Sequence, residues 1–314
     1  MIIITGGLGF IGSNILHSLN KRNKSNILLV DSFTKKKFKN IQYAKYLDFI
    51  EKKKFIKNLY ELKYKKIECI YHQGACTNTQ ETDLKYLIEN NFEYSKKLLK
   101  FANDNNINFV YASSGSIYGN IKKDMKETQF LEKRRVENYY GLSKLMFDQY
   151  VIKNKKKLKS AIGLRYFNVY GINEFHKKNM SSPILTFYDQ IKKKNACKIF
   201  GQYDGFEKGK HSRDFVYIDD VVDINIWASK KKMVNIFNVG TGISNSFKQI
   251  ADTVIKKLKK GKIEYIKFPE RFKGKYQSFT QANILKLRKL GYKKKFTTID
   301  KGISLYLKKL QCNE

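Results

Sequence analysis

The first hydrophobic feature of the chain is an unbroken run, Ile2-Ile3-Ile4, that closes at Thr5. Strict alternation of apolar and polar positions marks a strand with one wet face. A β-branched run without alternation marks a strand covered on both sides, as in parallel sheets. From Ile11 the period changes: Ile11, Ile15, Leu16 and Leu19 recur at helical spacing. Short apolar runs return at residues 27–30, 67–71, 108–112 and 161–164, each predicting a strand. Between them the spacing predicts helices over 83–103 and from 140 to about 152. Strand and helix alternating in this way predict a doubly wound parallel α/β sheet. Beyond Tyr170 the pattern loosens, with helices expected over 182–193, 221–230 and 247–260, and a strand over 235–239 that returns to the main sheet. The lysine runs at 52–54, 155–157 and 293–295 read as loops or helix ends.

The turn after the first run is rich in glycine, with Gly6, Gly9 and Gly12 at three-residue spacing. A glycine turn between strand and helix lets backbone amides approach a pyrophosphate, and the helix N-terminus favours its negative charge. The second strand ends at Asp31, about 20 positions beyond the glycines, where an acid can hold a ribose hydroxyl. The bland alternative is a tight turn in an ordinary α/β domain. The order strand, turn, helix, strand, acid favours a dinucleotide. The expected fold class is therefore α/β, a Rossmann-type doubly wound parallel sheet with a smaller mixed α/β substrate-binding lobe. Residues 1–170 are expected to be mainly the dinucleotide-binding domain, with returns from about 213–242, and residues 171–314 mainly the substrate lobe.

Tyr140 and Lys144 stand four residues apart, hence on one face of a helix. A free tyrosine titrates near ~10. A neighbouring ammonium and an oxidised nicotinamide ring both favour phenolate, so the pair suits proton transfer at an alcohol carbon. Lys144 is also placed to bond a nicotinamide ribose. The strand over 108–112 runs into Ser113-Ser114-Gly115-Ser116, whose hydroxyls can hold the reacting oxygen. In so lysine-rich a chain a Tyr-x-x-x-Lys match alone is weak, and its position after the glycine turn and the Ser-Ser strand end gives it weight.

These residues resemble the extended short-chain dehydrogenase/reductase superfamily. Gly74-Ala75-Cys76, Arg165-Tyr166-Phe167-Asn168-Val169-Tyr170-Gly171, Arg213-Asp214-Phe215-Val216-Tyr217 and the segment from Gly274 to Ala282 narrow the resemblance to the ADP-L-glycero-D-manno-heptose 6-epimerase family. The resemblance implies conversion of ADP-D-glycero-D-manno-heptose to its L-glycero epimer, in synthesis of the lipopolysaccharide inner core. C6 is oxidised and then reduced again from the other face, with a tightly held NADP, or NAD. Tyr140 and a second lysine, Lys177, then serve as the two acid/base groups, with Lys144 and Ser114 completing the catalytic set. If the register slips by one residue, Lys178 takes the place of Lys177.

The same resemblance assigns cofactor contacts to Gly6, Gly9, Phe10, Ile11, Gly12, Asp31 and Ser32. It adds Gln73, Gly74, Ala75, Cys76, Thr77 and Asn90 along the nicotinamide half, together with Lys144, Val169 and Lys177. Lys37 and Lys52 are the implied partners of a 2′-phosphate. Asp31 alone favours NAD, because a carboxylate repels that phosphate. Substrate contacts carry over to Ser114, Asn168, Asn179, Thr186, Phe200, Gly201, Gln202, Tyr203, Arg213 and Tyr276. Arg213 offers a planar fork to a diphosphate, or a structural ion pair with Asp219. A sugar dehydratase needs an acid beside the motif serine; Gly115, Ser116 and Ile117 follow Ser114 instead.

Composition changes this picture little. The net charge of +35 raises the alternative of a basic dinucleotide-fold protein that binds nucleic acid. The excess is mostly lysine spread along the whole chain, and Ser114, Tyr140 and Lys144 are all present, so no nucleic-acid partner is expected. A positive field also assists capture of an anionic ADP-sugar. Cys69, Cys76, Cys197 and Cys312 form no C-x-x-C pair, and His17, His72, His176 and His211 are dispersed, so free thiols and no metal are expected. The chain begins on a core strand rather than a leader, and no apolar run is long enough for membrane insertion, which predicts a cytoplasmic protein. The resemblance further implies a homo-oligomer, with a pentamer the form it suggests.

Overall fold

The computed structural model describes residues 1–312 except 124, 128–135 and 275; the side chains of Tyr64, Lys178 and Asn179 also lie outside the description. Twelve strands are named here in chain order. They are β1 (Ile2–Thr5), β2 (Ile27–Asp31), β3 (Asp48–Glu51), β4 (Cys69–His72), β5 (Asn108–Ser114) and β6 (Ala161–Tyr166). Then follow β7 (Asn168–Tyr170), β8 (Ala196–Phe200), β9 (Ser212–Tyr217), β10 (Val234–Val239), β11 (Ser244–Ser246) and β12 (Lys262–Ile266). Seven of them form one parallel sheet in the order β10-β6-β5-β4-β1-β2-β3. This is the Rossmann-type α/β fold that the apolar runs predict.

Every residue of β1, β2, β4 and β6 is buried, which explains why their sequences do not alternate. Successive side chains still point to opposite faces. Ile2 and Ile4 pack with Leu16, Leu19 and Val221 in one core, while Ile3 packs with Leu98, Phe101 and Phe147 in the other. Each fully buried aliphatic side chain contributes ~1.5–3 kcal/mol, so both faces draw helices onto the sheet.

The chain reverses its direction of travel at β1, with β2 and β3 on one side and β4 on the other. Open α/β sheets bind ligands at such a switch point, beyond the carboxyl ends of the strands. Gly6 follows β1 there and Gly74 lies just past β4. The two backbones approach so closely that a Cβ on Gly6 would lie 2.6 Å from the Gly74 nitrogen.

Smaller sheets of three strands (β11-β9-β7) and two strands (β12-β8) form outside the main sheet. The strand expected to return to the main sheet is β10, paired with β6; β9 instead joins β7 and β11.

Several boundaries differ from expectation for identifiable reasons. The expected 83–103 helix starts on an Asp83 cap, whose side chain accepts from the Tyr86 amide, and is interrupted by a π turn, Ile88–Glu93. The expected 221–230 helix begins earlier, at Ile218, because Asp219 and Asp220 suit the positive end of a first turn. Pro183 opens the Pro183–Lys194 helix behind a Ser182 cap, and a Ser246/Gln249 capping box opens Phe247–Leu258. The Ile299–Cys312 helix, with Ile303, Tyr306, Leu307 and Leu310 buried, lies beyond the elements expected from the pattern. No helix among the described residues is long and apolar enough to cross a membrane.

Candidate active site

The glycine turn is built for close backbone approach. Gly6 takes φ +67°, and a Cβ on Gly12 would lie 2.2 Å from the Gly6 carbonyl oxygen. The Gly9 amide donates to that oxygen at 2.9 Å. The Phe10–Asn20 helix starts at Gly9 with no side-chain cap and no acid in its first turn. Its opening amides therefore face the cavity at the positive end of the helix, and the turn fits a pyrophosphate.

At the far end of this turn Asp31 is fully engaged. One carboxylate oxygen accepts from the Leu8 amide at 3.0 Å. The other accepts from the Ser32 amide at 2.7 Å and from Lys37 Nζ at 3.1 Å. Lys52 Nζ donates to Asn90 Oδ1 at 2.6 Å. Asp31, Ser32, Lys37, Lys52 and Asn90 together line a pocket of about 130 Å³.

A first cavity, about 630 Å³, carries Gly6, Gly9, Phe10, Ile11, Gly12 and Asp31 on one wall. Gln73, Gly74, Ala75, Cys76 and Thr77 form another. Ser114, Tyr140, Lys144, Asn168, Val169 and Lys177 also line it. Tyr140 and Lys144 sit near the start of the Tyr139–Lys153 helix, whose first turn is capped by Asn138 through the Gly141 amide at 2.8 Å.

The Ser114 side chain faces the Tyr140 phenol. The Ser114 hydroxyl in turn accepts from the Ser116 amide at 3.1 Å and the Ser116 hydroxyl at 2.9 Å. Lys144 Nζ donates to the Ala112 carbonyl at 2.9 Å. Burial pushes the Lys144 ammonium down to about 8, against the opposing charge of Asp148 one turn on. Burial also pushes Tyr140 up, and the Ser114 hydroxyl only partly offsets this. The expectation that the neighbouring ammonium lowers this phenol is therefore not met by the protein alone, because desolvation dominates.

The π turn fixes the loop opposite. Asn91 accepts from the Cys76 amide at 2.8 Å and donates to the Cys76 carbonyl at 3.0 Å. It also donates to Ser143 Oγ at 3.0 Å, and Ser143 donates to the Tyr140 carbonyl at 2.7 Å. One side chain thus ties the 73–77 loop to the tyrosine helix. Lys177 stands on the Phe175–Met180 turn with Nζ 5.3 Å from the Phe10 ring centre. Burial lowers its ammonium and the Glu174 carboxylate opposes that shift. The adjacent His176 is pushed down to about 4, by burial first and then by Lys37 and Lys177.

A second cavity of about 710 Å³ adjoins the first, sharing Ser181 and Pro183. Thr186, Phe200 and Tyr276 line it. Arg213 lies behind it, buried, with its guanidinium 4.9 Å from the Tyr276 ring centre and donating to the Ser212 carbonyl at 3.1 Å. The expected alternative, an ion pair with Asp219, is not formed; Asp219 faces Lys309 at 3.7 Å. A buried guanidinium with no carboxylate in contact among the described residues suits an anionic ligand.

Residues 2–240 match the NAD dependent epimerase/dehydratase family. The chain belongs to that family. The ADP-L-glycero-D-manno-heptose-6-epimerase of Helicobacter pylori superposes with a TM-score of 0.86 at 29% identity, covering 99% of this chain and 96% of the other. The UDP-glucose 4-epimerase of Thermotoga maritima gives 0.84 at 25% identity, covering 99% of each chain. UDP-glucuronic acid 4-epimerase from Bacillus cereus, whose structure holds NAD, gives 0.80 at 24% identity, covering 98% of this chain and 99% of that one.

Within this family member, Gly201, Gln202 and Tyr203, like Arg213, line neither cavity. The Gly201 amide is occupied by the Ile266 carbonyl at 2.7 Å, Gln202 is exposed, and Tyr203 stacks on Phe268 with ring centres 3.9 Å apart. The Asn179 side chain and the alternative base Lys178 lie outside the described side chains. Sequence reasoning missed His176 on the first cavity and His211, Arg271 and Phe272 on the second. Nothing in their local spacing marks them, since the second cavity gathers an aromatic cluster from distant segments. No grouping of His, Cys, Asp and Glu suited to a metal occurs among the described residues, and all four cysteines are free thiols.

Proposed function

We propose that this protein is a nucleotide-sugar epimerase that inverts C6 of ADP-D-glycero-D-manno-heptose, with NADP as its cofactor and NAD as the alternative. The observation that carries the reading is one shared cavity. The glycine turn, the Ser114–Tyr140–Lys144 group and Lys177 all line it. Likeness to the Helicobacter pylori enzyme across 99% of this chain supports the choice of sugar.

In this reading the Gly6–Gly12 turn and the first helical amides hold the pyrophosphate, and Lys37 and Lys52 receive the 2′-phosphate. Lys144 bonds the nicotinamide ribose. A nicotinamide held there would supply reversible hydride transfer at the sugar carbon. Ser114 holds the reacting oxygen and Tyr140 moves its proton. Lys177 performs the same task when the sugar presents its other face, so configuration inverts with no net redox change. Arg213, Tyr276, Phe200 and Thr186 serve the ADP end of the substrate. The division into a dinucleotide domain and a substrate lobe, the homo-oligomer and the cytoplasmic location belong to the same proposal and rest on the family resemblance.

The test is incubation of the purified protein with ADP-D-glycero-D-manno-heptose, followed by assignment of C6 stereochemistry, with UDP-glucose in parallel. Inversion at C6 of the heptose is the expected result. Unchanged heptose with cofactor still bound sinks the substrate assignment, and conversion of UDP-glucose to its C4 epimer redirects it.

A further inference from the structure

Glu174 is a carboxylate with no solvent exposure, and no cation contacts it among the described residues. Burial of such a group is costly unless its oxygens are well used. Here one oxygen accepts from the Gly171 amide at 3.2 Å and the Ser182 hydroxyl at 2.7 Å, and the other from the Ser182 amide at 2.6 Å. The Glu174 carbonyl accepts from the Lys177 amide at 2.9 Å. One residue therefore joins the end of β7 to the cap of the Pro183–Lys194 helix and shapes the turn between them, from which Lys177 reaches the cavity.

We propose that Glu174 is a positioning residue for Lys177, its carboxylate and its carbonyl together holding in place the turn that presents this lysine to the cavity. The proposal rests on the reading of Lys177 as the second acid/base group. The carboxylate and the ammonium each offset the burial of the other. The other groups facing them are His176 on the same turn, Asp31 and Lys37 beyond His176, the Phe10 ring, and the Tyr306 phenol from the Ile299–Cys312 helix. A neutral amide in place of the carboxylate removes the negative charge that opposes the burial of Lys177 and turns a donor toward the Ser182 or Gly171 donors.

The experiment is competitive acylation of the native protein across a pH series, with mass spectrometry resolving Lys177 from Lys178 and Lys144. In Glu174→Gln the labelling midpoint of Lys177 is expected to move to lower pH while that of Lys144 stays. Turnover is expected to fall at least ten-fold in kcat with a smaller change in KM. Glu174→Asp, which keeps the charge, is expected to fall between wild type and Glu174→Gln. An unchanged Lys177 midpoint in folded Glu174→Gln overturns the proposal. If that variant does not fold, an unchanged midpoint in Glu174→Asp does so. Wild-type turnover in Lys177→Met sinks the base reading instead, and leaves the labelling result standing.

Discussion

Arg165 Nε meets Asp148 Oδ2 at 2.8 Å, and neither side chain is exposed to solvent. Asp148 also accepts from the Tyr111 hydroxyl at 3.0 Å and the Ser113 hydroxyl at 2.9 Å, and Arg165 donates to the Tyr118 hydroxyl at 2.9 Å. This buried pair locks β5 and β6 to the helix that carries Tyr140 and Lys144. Breaking such a pair by deleting one partner strands a buried charge, which costs about 3–5 kcal/mol. Asp148→Ala is expected to lose stability of that order in urea denaturation. A loss below about 1 kcal/mol shows that the pair is dispensable.

Tyr140→Phe removes the phenolic hydroxyl to which the proposed mechanism gives the proton, and leaves the ring and the glycine turn in place. Turnover is expected to fall by about 10²–10⁴-fold, the usual share of a positioned acid or base. Cofactor affinity, followed by fluorescence titration, is expected to change little.

The Lys144 ammonium gives a stability signature of its own. Its folded-state value is about 8 against 10.5 for the free group. Between those two pH values the unfolded chain holds the proton and the folded protein does not, so stability rises with pH through this window. Below about 8 the buried charge is a constant cost. Lys144→Met is expected to flatten that rise when cofactor-free wild type and variant are unfolded in parallel across the pH series. Parallel curves in both proteins refute the shift.

At Gly12 even a methyl group has nowhere to go, because the obstacle is backbone: the Gly6 carbonyl oxygen at 2.2 Å and its carbon at 2.9 Å. Gly12→Ala is expected to open the turn, lower thermal stability and abolish measurable dinucleotide binding by calorimetry. Gly274→Ala meets nothing within 4 Å, so it serves as a control in which only the local φ of +70° is strained.

Lys37 and Lys52 test the cofactor assignment. Each charge-assisted contact to a 2′-phosphate contributes about 1.5–3 kcal/mol, so removing one is expected to weaken NADP binding about ten-fold or more. Binding of NAD is expected to hold or improve in Lys52→Ala, which leaves Asp31 and its Lys37 partner intact. Equal losses for both cofactors refute a role for these lysines at the phosphate.

Much of this site is legible in local spacing. The unbroken runs of β1 and β2, the glycine turn and the Tyr140–Lys144 helix are properties of a few consecutive residues. Their physical causes, side-chain period, capping and the room a glycine leaves, act over the same short range. The π turn at Ile88–Glu93 is not legible in this way, because the insertion that brings Asn91 onto Cys76 and Ser143 is set by those partners. Lys177 is placed by resemblance to a family, and the structure adds Glu174, which the chain's spacing does not single out.

By itself the amino-acid sequence determined the α/β alternation, the glycine turn between the first strand and helix, and the placing of Tyr140 and Lys144 on one helical face. Only the tertiary structure decided that β4 returns beside β1 to open the crevice, that Phe200, His211, Phe272 and Tyr276 meet around a second cavity, and that burial pushes the Lys144 ammonium down. Period and propensity are written in neighbouring residues. Strand pairing, cavity walls and the loss of water around a charge depend on segments far apart in the chain, and they exist only once those segments pack together.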